Sequence, residues 1–387
     1  MSILLLVLGL LLFVGLVIVH EFGHFIAARR GGVGVEEFGI GFPPRAKILA
    51  HKKGTIYSIN WLPLGGFVRL KGENDSSREK ASYGAANLKT KVKIMLAGVS
   101  MNLVTAYILL VIAALVGLPK ILPNQFTITN DTKTINQEVF IGYVEPDSPA
   151  AKAGLQVRDK ILAFEGGPIK PEGCGDNELC VGIKTINSAE ELPKITKQLA
   201  GQEVGIRYDR NGEFKVAQIT LRTSEEVEAS QQTDDPKGYL GIAPTEFVLR
   251  RSTWSAPIVA GGLIGQFTVE TFRGIGSAIW GLIQGNGAKA SEQVSGPVGV
   301  FVLLRDGSVL GFEFILFIIA VISLTLAIMN ALPIPALDGG RLFVTLLFRT
   351  FKKPLTKDLE DKIHGVGFAV LMLLFLTITV IDIRRFF

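Results

Sequence analysis

The stretch VIVHEFGHFI, Val17 to Ile26, lies inside an apolar run that begins at Ile3 and continues to Ala28. A helix needs roughly 17 to 25 residues to cross a hydrocarbon core of about 30 Å, so this run predicts a membrane span with two histidines and a glutamate near its end. In a helix His20 and His24 are i and i+4, so both imidazoles project from one face, about one turn apart, and can grip a single zinc ion. Glu21 lies alongside, where its carboxylate can take a proton from an attacking water and return it to the leaving amine. Ionisable residues are costly within an apolar helix, and function is the simplest account of that cost. The competing reading is a structural histidine pair hydrogen-bonded to neighbouring helices.

Composition supports membrane residence. Of 387 residues 48% are hydrophobic and only 19% charged, which is too apolar for an ordinary soluble chain of this length. The net charge of +5 could suggest nucleic acid, but the basic residues gather in short segments beside apolar runs rather than in one aromatic-laced patch. No nucleic-acid partner is expected. Four runs are long enough to span: Ile3 to Ala28, Ile94 to Leu118, Val309 to Leu332 and Gly365 to Ile381. The first has no basic leader and no small-residue cleavage site, so it is expected to remain in the mature protein.

Between Arg29 and Lys93 there are 13 Lys or Arg against 5 Asp or Glu, and Arg341 to Lys362 holds six more basic residues. The positive-inside rule places both segments in the cytoplasm and the region between the second and third spans outside. Arg384 and Arg385 weigh weakly against this orientation.

The cytoplasmic stretch GTIYSINWLPLGGFVRLKG, Gly54 to Gly72, alternates like a strand, turns at Pro63 to Gly66 and resumes as a second short strand. It predicts a β-hairpin, either a plain cytosolic one or one whose edge receives an extended peptide. Outside, residues 138–245 read as one α/β module: strand FIGYV, a short helix at SPAAKAGL, strand KILAFEG, helix AEELPKITKQLAG, and a hairpin turning at Asn211-Gly212. This pattern resembles a PDZ domain, with GYLGI, Gly238 to Ile242, similar to the carboxylate-binding strand of circularly permuted bacterial members. The resemblance implies that Leu240 and Gly241 offer backbone N–H groups to a peptide terminus; a module that limits access by bulk alone is the other reading. Cys174 and Cys180, the only cysteines, sit in an insertion CGDNELC within this module, where an oxidising compartment would let them pair. Residues 252–288 are moderately apolar, carry Glu270 and Arg273, and read as interfacial amphipathic helices rather than a fifth span.

A catalytic zinc commonly has three protein ligands, so one more is required. His51 lies in the basic loop and His364 at the edge of the last run, whereas Asp338 follows the third run in NALPIPALDGGR. If the first and third spans run in the same direction, Asp338 arrives at the depth of His20 and His24. A fifth span in between would put it on the opposite side.

HEFGH in the first span, GFPP, the WLPLGGFV hairpin, the PDZ-like module, SGPVG and NALPIPALDGG together resemble the site-2 protease family of intramembrane metalloproteases, in the bacterial branch that cleaves anti-sigma factors. The likeness covers nearly the whole chain. It implies a four-helix polytopic membrane protein with a membrane-associated β-hairpin and an inserted extracytoplasmic PDZ domain, organised as 1–118, 138–245, 252–288 and 309–387, in the bacterial inner membrane. It implies Zn2+ held by His20, His24 and Asp338, with Glu21 as base. It further implies Asn330 as a polar contact to substrate or developing oxyanion, against which helix capping or interhelical bonding competes. Gly65, Gly66, Phe67 and Val68 would align substrate as a strand. Substrates of the family are single-span membrane proteins such as anti-sigma factors or signal-peptide remnants, met in the lipid bilayer. Two departures stand out: Arg341 follows LDGG where many relatives have His, and there is one PDZ-like module rather than a tandem pair. A noncatalytic peptide-reading receptor would not need Glu21, and a tethered protease for soluble proteins would carry the motif outside the membrane.

Overall fold

The computed structural model of the protein describes residues 2–166, 182–210, 212–233, 235–285 and 296–387. It divides into two compact units, one of Met1–Leu118, Asn124–Thr132 and Ser252–Phe387, the other of Pro119–Pro123 and Lys133–Arg251.

The first unit opens with α1, Ser2–Arg30, whose last turn carries Arg29 and Arg30, charges that suit the carbonyl end of a helix. Strands β1, Val35–Lys52, and β2, Thr55–Leu70, follow and pair along their lengths. Here the structure corrects the expected hairpin. The two arms of β2 do reverse around Gly65, at φ 92°, but they do not pair with each other. Residues Glu37 to Ile40 of β1 lie between them, opposite Ile56 to Ile59 on one side and Gly66 to Arg69 on the other. Glu37 explains the interleaving: it is 2% exposed and its carboxylate accepts from Arg45, from Ser58 at 2.7 Å and from Arg69, so one buried anion gathers three segments. Helix α2, Leu88–Val116, begins where the Asn87 side chain accepts from the Thr90 N–H at 2.8 Å.

The two-residue β3, Leu118–Pro119, pairs with β9, Ile242–Arg251; the sheet of the second unit continues through β4, Lys133–Val144, β5, Lys160–Glu165, β7, Glu203–Arg210, and β8, Glu213–Thr220. Strand β6, Ile183–Thr185, pairs with β5. Helix α3, Pro149–Lys152, is capped by Ser148; α4, Glu191–Gln198, and α5, Ser224–Ser230, complete the unit, α5 starting on a Thr223/Glu226 capping box. Val139, Ile141, Phe164, Ile206 and Leu240 form its core. The GYLGI segment is a loop up to Gly241, at φ 75°, and only Ile242 joins the ladder. Cys174, Cys180 and Asn211 lie outside the described residues.

The chain then forms α6, Ala256–Ile283, one continuous helix where a pair was expected. Its first half packs Ala256, Val259, Ala260 and Leu263 against Leu110, Ala113 and Ala114 of α2. Helices α7, Pro297–Leu310, and α8, Phe312–Ala331, are separated by Gly311 at φ 116°, so Val309 and Leu310, expected in the third span, belong to the preceding helix. The Asp382 carboxylate accepts the Gly296 and Gly299 N–H groups, both at 2.8 Å, and so holds the start of α7. Helices α9, Asp338–Thr350, and α10, Lys357–Phe386, end the chain.

Four helices among the described residues are long and apolar enough to cross a membrane: Ile3–Arg30, Leu88–Val116, Phe312–Ala331 and Lys357–Phe386. Their directions follow from contacts. His24 meets Ile94 while His20 meets Asn102, so α1 and α2 are antiparallel. Ser323 of α8 donates to the Asn102 carbonyl at 2.8 Å while Leu316 and Phe317 cluster with Leu110, so α8 also opposes α2. Helices α1 and α8 therefore run the same way, with Leu16, Ile315, Ile318 and Ile319 packed between them.

Candidate metal centre

One helical turn of α1 brings the Nε2 atoms of His20 and His24 to 3.2 Å from each other. Asp338, the first residue of α9, places Oδ2 3.0 Å from His20 Nε2 and 3.1 Å from His24 Nε2. A tetrahedral ion with nitrogen and oxygen ligands at about 2.0–2.2 Å separates them by about 3.3 Å, so the three atoms are spaced to cap one face of such an ion. The three side chains form a group that could hold a metal ion.

The surroundings orient the donors. His24 Nδ1 lies 2.8 Å from the Ile94 carbonyl oxygen, which can only accept, so Nδ1 carries the hydrogen and the Nε2 lone pair faces Asp338. His20 Nδ1 faces the Asn102 amide at 3.3 Å, and the amide oxygen is buried with no partner. A half turn of that amide presents the oxygen to a His20 Nδ1–H, which satisfies the orphan and frees His20 Nε2 in the same manner. Helix α2 approaches this closely because position 98 is glycine: a Cβ there would strike His24 Nε2 and lie 2.6 Å from His20 Cε1.

Asp338 is delivered by a tight return after α8. Ala336 sits at φ 79°, and a Cβ on Gly339 or Gly340 would overlap the carbonyls of Ala331 or Ile334. His364 of α10 accepts the Ala336 N–H at Nδ1, 3.1 Å away, so this histidine holds the return and stands apart from the three donors. Arg341 pairs with Glu73 at 2.5 Å, which ties α9 to the segment ahead of α2 and accounts for arginine after LDGG.

Glu21 points to the hairpin. The Val68 backbone N–H faces its carboxylate, and Gly66 lies beside its Cγ. Gly66 to Leu70 is an outer arm of the β1–β2 sheet, with no further strand on it among the described residues. Asn330 donates to the Leu326 carbonyl of its own helix at 3.0 Å. Leu240 and Gly241 belong to the second unit, where the Leu240 carbonyl accepts from Ala150 N–H. Sequence reading marked Asn102 only as an interhelical hydrogen-bonding residue of the second span, without its partner His20, and missed the roles of Gly98 and His364. A signal existed for two of them: Gly98 and Asn102 are four apart, the spacing of His20 and His24, and so share one face of α2.

Peptidase family M50 matches residues 8–374, from α1 into α10. The chain belongs to peptidase family M50. It is thus a member of the site-2 protease family, a metalloprotease whose metal is zinc. A Fusobacterium nucleatum protein named as a zinc metalloprotease is 30% identical over 381 residues, covering 98% of this chain and 97% of the relative. The zinc metalloprotease RasP of Shouchella clausii is 26% identical over 457 residues, covering 96% and 97% of the two chains. RasP of Oceanobacillus iheyensis is 27% identical over 464 residues, covering 98% of each. Membership in M50 fits the four apolar helices of a multi-pass membrane protein.

Proposed function

We infer that this M50 peptidase hydrolyses peptide bonds of single-span membrane proteins, with His20, His24 and Asp338 holding zinc and Glu21 acting as general base. The convergence of Asp338 Oδ2 on both histidines at 3.0 and 3.1 Å carries the reading, because residues more than 300 positions apart meet in a three-donor set. Zinc bound there supplies a Lewis acid that polarises the scissile carbonyl and makes water acidic enough to be used near neutral pH. Glu21 takes the proton of the attacking water and passes it to the leaving nitrogen. His24 is held by Ile94 and His20 by Asn102, so the donors keep their aim without rearranging during reaction.

A helical substrate hides its carbonyls in its own hydrogen bonds and must unwind locally before it is cut. The outer arm Gly66 to Leu70, whose Val68 faces Glu21, offers a ladder for that extended stretch, with Gly65 and Phe67 shaping the turn. Asn330 lies near the carboxyl end of α8, and its amide is taken to turn to substrate once its bond to Leu326 is released. The second unit is read as a PDZ domain lying outside the cytoplasm of a bacterial inner membrane, its Leu240–Gly241 loop and α4 flanking a small groove for an extended peptide. Anti-sigma factors and signal-peptide remnants have the required single-span form.

The test is to incubate the purified full-length protein in detergent with a panel of single-span peptides, with and without a zinc chelator, and to map products by mass. Cuts within the apolar segment that disappear on chelation support the reading. Cuts confined to soluble flanks, or unaffected by chelation, overturn it.

A further inference from the structure

Between α1 and α2 runs a groove of about 550 Å3 that none of His20, Glu21 or His24 lines. Ala27 and Ala97 keep it open, Met101 and Val104 make it apolar, and Arg30 and Lys93 stand at its end. Because the helices are antiparallel, the last residue of α1 and the second turn of α2 meet at that end. Arg30 and Lys93 are both exposed, and neither has a hydrogen-bond or ion-pair partner among the described residues. Their neighbours differ: Arg29 donates to the Lys53 carbonyl and to Thr55, and Lys91 pairs with Asp75. No acidic residue lines the groove.

Two unmatched cations at the polar end of an apolar channel between two spans ask for an amphipathic anion. An extended peptide laid against Met101 and Val104 would leave its own N–H and C=O groups without partners, since Ser100 already donates to the Leu96 carbonyl. An acyl chain has no such groups. Basic pockets between spans at the membrane surface suit phosphate head groups, and long basic side chains reach that level while their stems stay in apolar surroundings. We propose that this groove binds an anionic phospholipid, its phosphate held by Arg30 and Lys93 and the upper part of one chain lying on Met101 and Val104.

Native mass spectrometry of the delipidated full-length protein, titrated with phosphatidylglycerol and with phosphatidylcholine of the same chains, tests this. Wild type is expected to retain phosphatidylglycerol several-fold more than phosphatidylcholine, and the Arg30→Gln/Lys93→Gln double variant to bring the ratio close to one. Ser100→Trp fills the groove without changing charge and should cut tight retention of phosphatidylglycerol. Lys47→Gln/Lys52→Gln removes two exposed charges from β1 and should leave the preference intact. Equal retention of the two lipids by wild type, a preference surviving Arg30→Gln/Lys93→Gln, or equal loss in the β1 variant overturns the proposal.

Discussion

Gly98 of α2 abuts the His24 imidazole so closely that a methyl group on its Cα would strike Nε2. The ring cannot retreat freely, because its Nδ1 is bonded to the Ile94 carbonyl on the same helix. Gly98→Ala should therefore displace His24 or part the helices, at a cost of about 1–3 kcal/mol, and lower zinc content and cleavage together. Zinc per chain, measured on purified protein alongside thermal unfolding, checks it; wild-type content in a well-folded variant would contradict the packing.

Asn102 acts through His20. Asn102→Ala removes the acceptor for Nδ1–H and is expected to weaken zinc binding by about 10–100-fold, whereas Asn102→Asp, which still accepts, should keep most of it. Competition against a chelator of known affinity reads this without any substrate.

Base and ligand separate experimentally. Glu21→Gln should keep zinc and lose about 10²–10⁴-fold in rate, since the amide cannot accept the proton. Asp338→Ala should lose zinc as well as rate. His51→Ala should leave zinc in place, and His364→Ala, which frees the Ala336 N–H, should affect occupancy less than Asp338→Ala. Zinc content and turnover measured on the same preparations distinguish the four.

Glu37 holds the arms of the hairpin through Arg45, Ser58 and Arg69. Glu37→Ala should loosen the arm that passes Glu21 and raise KM or lower kcat/KM while zinc stays bound. A variant with wild-type kinetics would show that the arm is not used by substrate.

In the second unit, the Arg222 guanidinium bonds both oxygens of Glu145 at 2.8 Å and holds that carboxyl below its ordinary range. Its folded pKa is depressed, so the stabilisation is present above the unfolded value near 4.5 and is lost as pH falls through the lower folded value. Arg222→Met should cost about 1.5–3 kcal/mol at pH 7 and much less at low pH. Amide hydrogen exchange in the second unit of the full-length protein, at both pH values, gives the comparison.

The grouping of the candidate metal donors was largely legible in the sequence because two of them are carried by local periodicity. His20, Glu21 and His24 share one turn of one helix, and the same depth argument that selected Asp338 matches the parallel course of α1 and α8. Apolar length alone also marked the four described helices that are long and apolar enough to cross a membrane. The hairpin was legible only in part: the reversal at Gly65 is a local backbone property, but which segments pair is not, and β1 slides between the arms of β2 to bring Arg45, Ser58 and Arg69 onto Glu37. The break at Gly311 was hidden for a related reason, since apolarity continues across it while the backbone does not.

What the sequence by itself determined is therefore which helices are long and apolar enough to cross a membrane and the candidate donors within one of them, because hydrophobic length and 3.6-residue spacing are written in consecutive residues. Only the tertiary structure decided what surrounds those donors. Gly98, Asn102, Ile94 and His364 come from helices distant in sequence; spacing along α2 puts Gly98 and Asn102 on one face, but which residues that face meets depends on contacts of a few ångströms between elements.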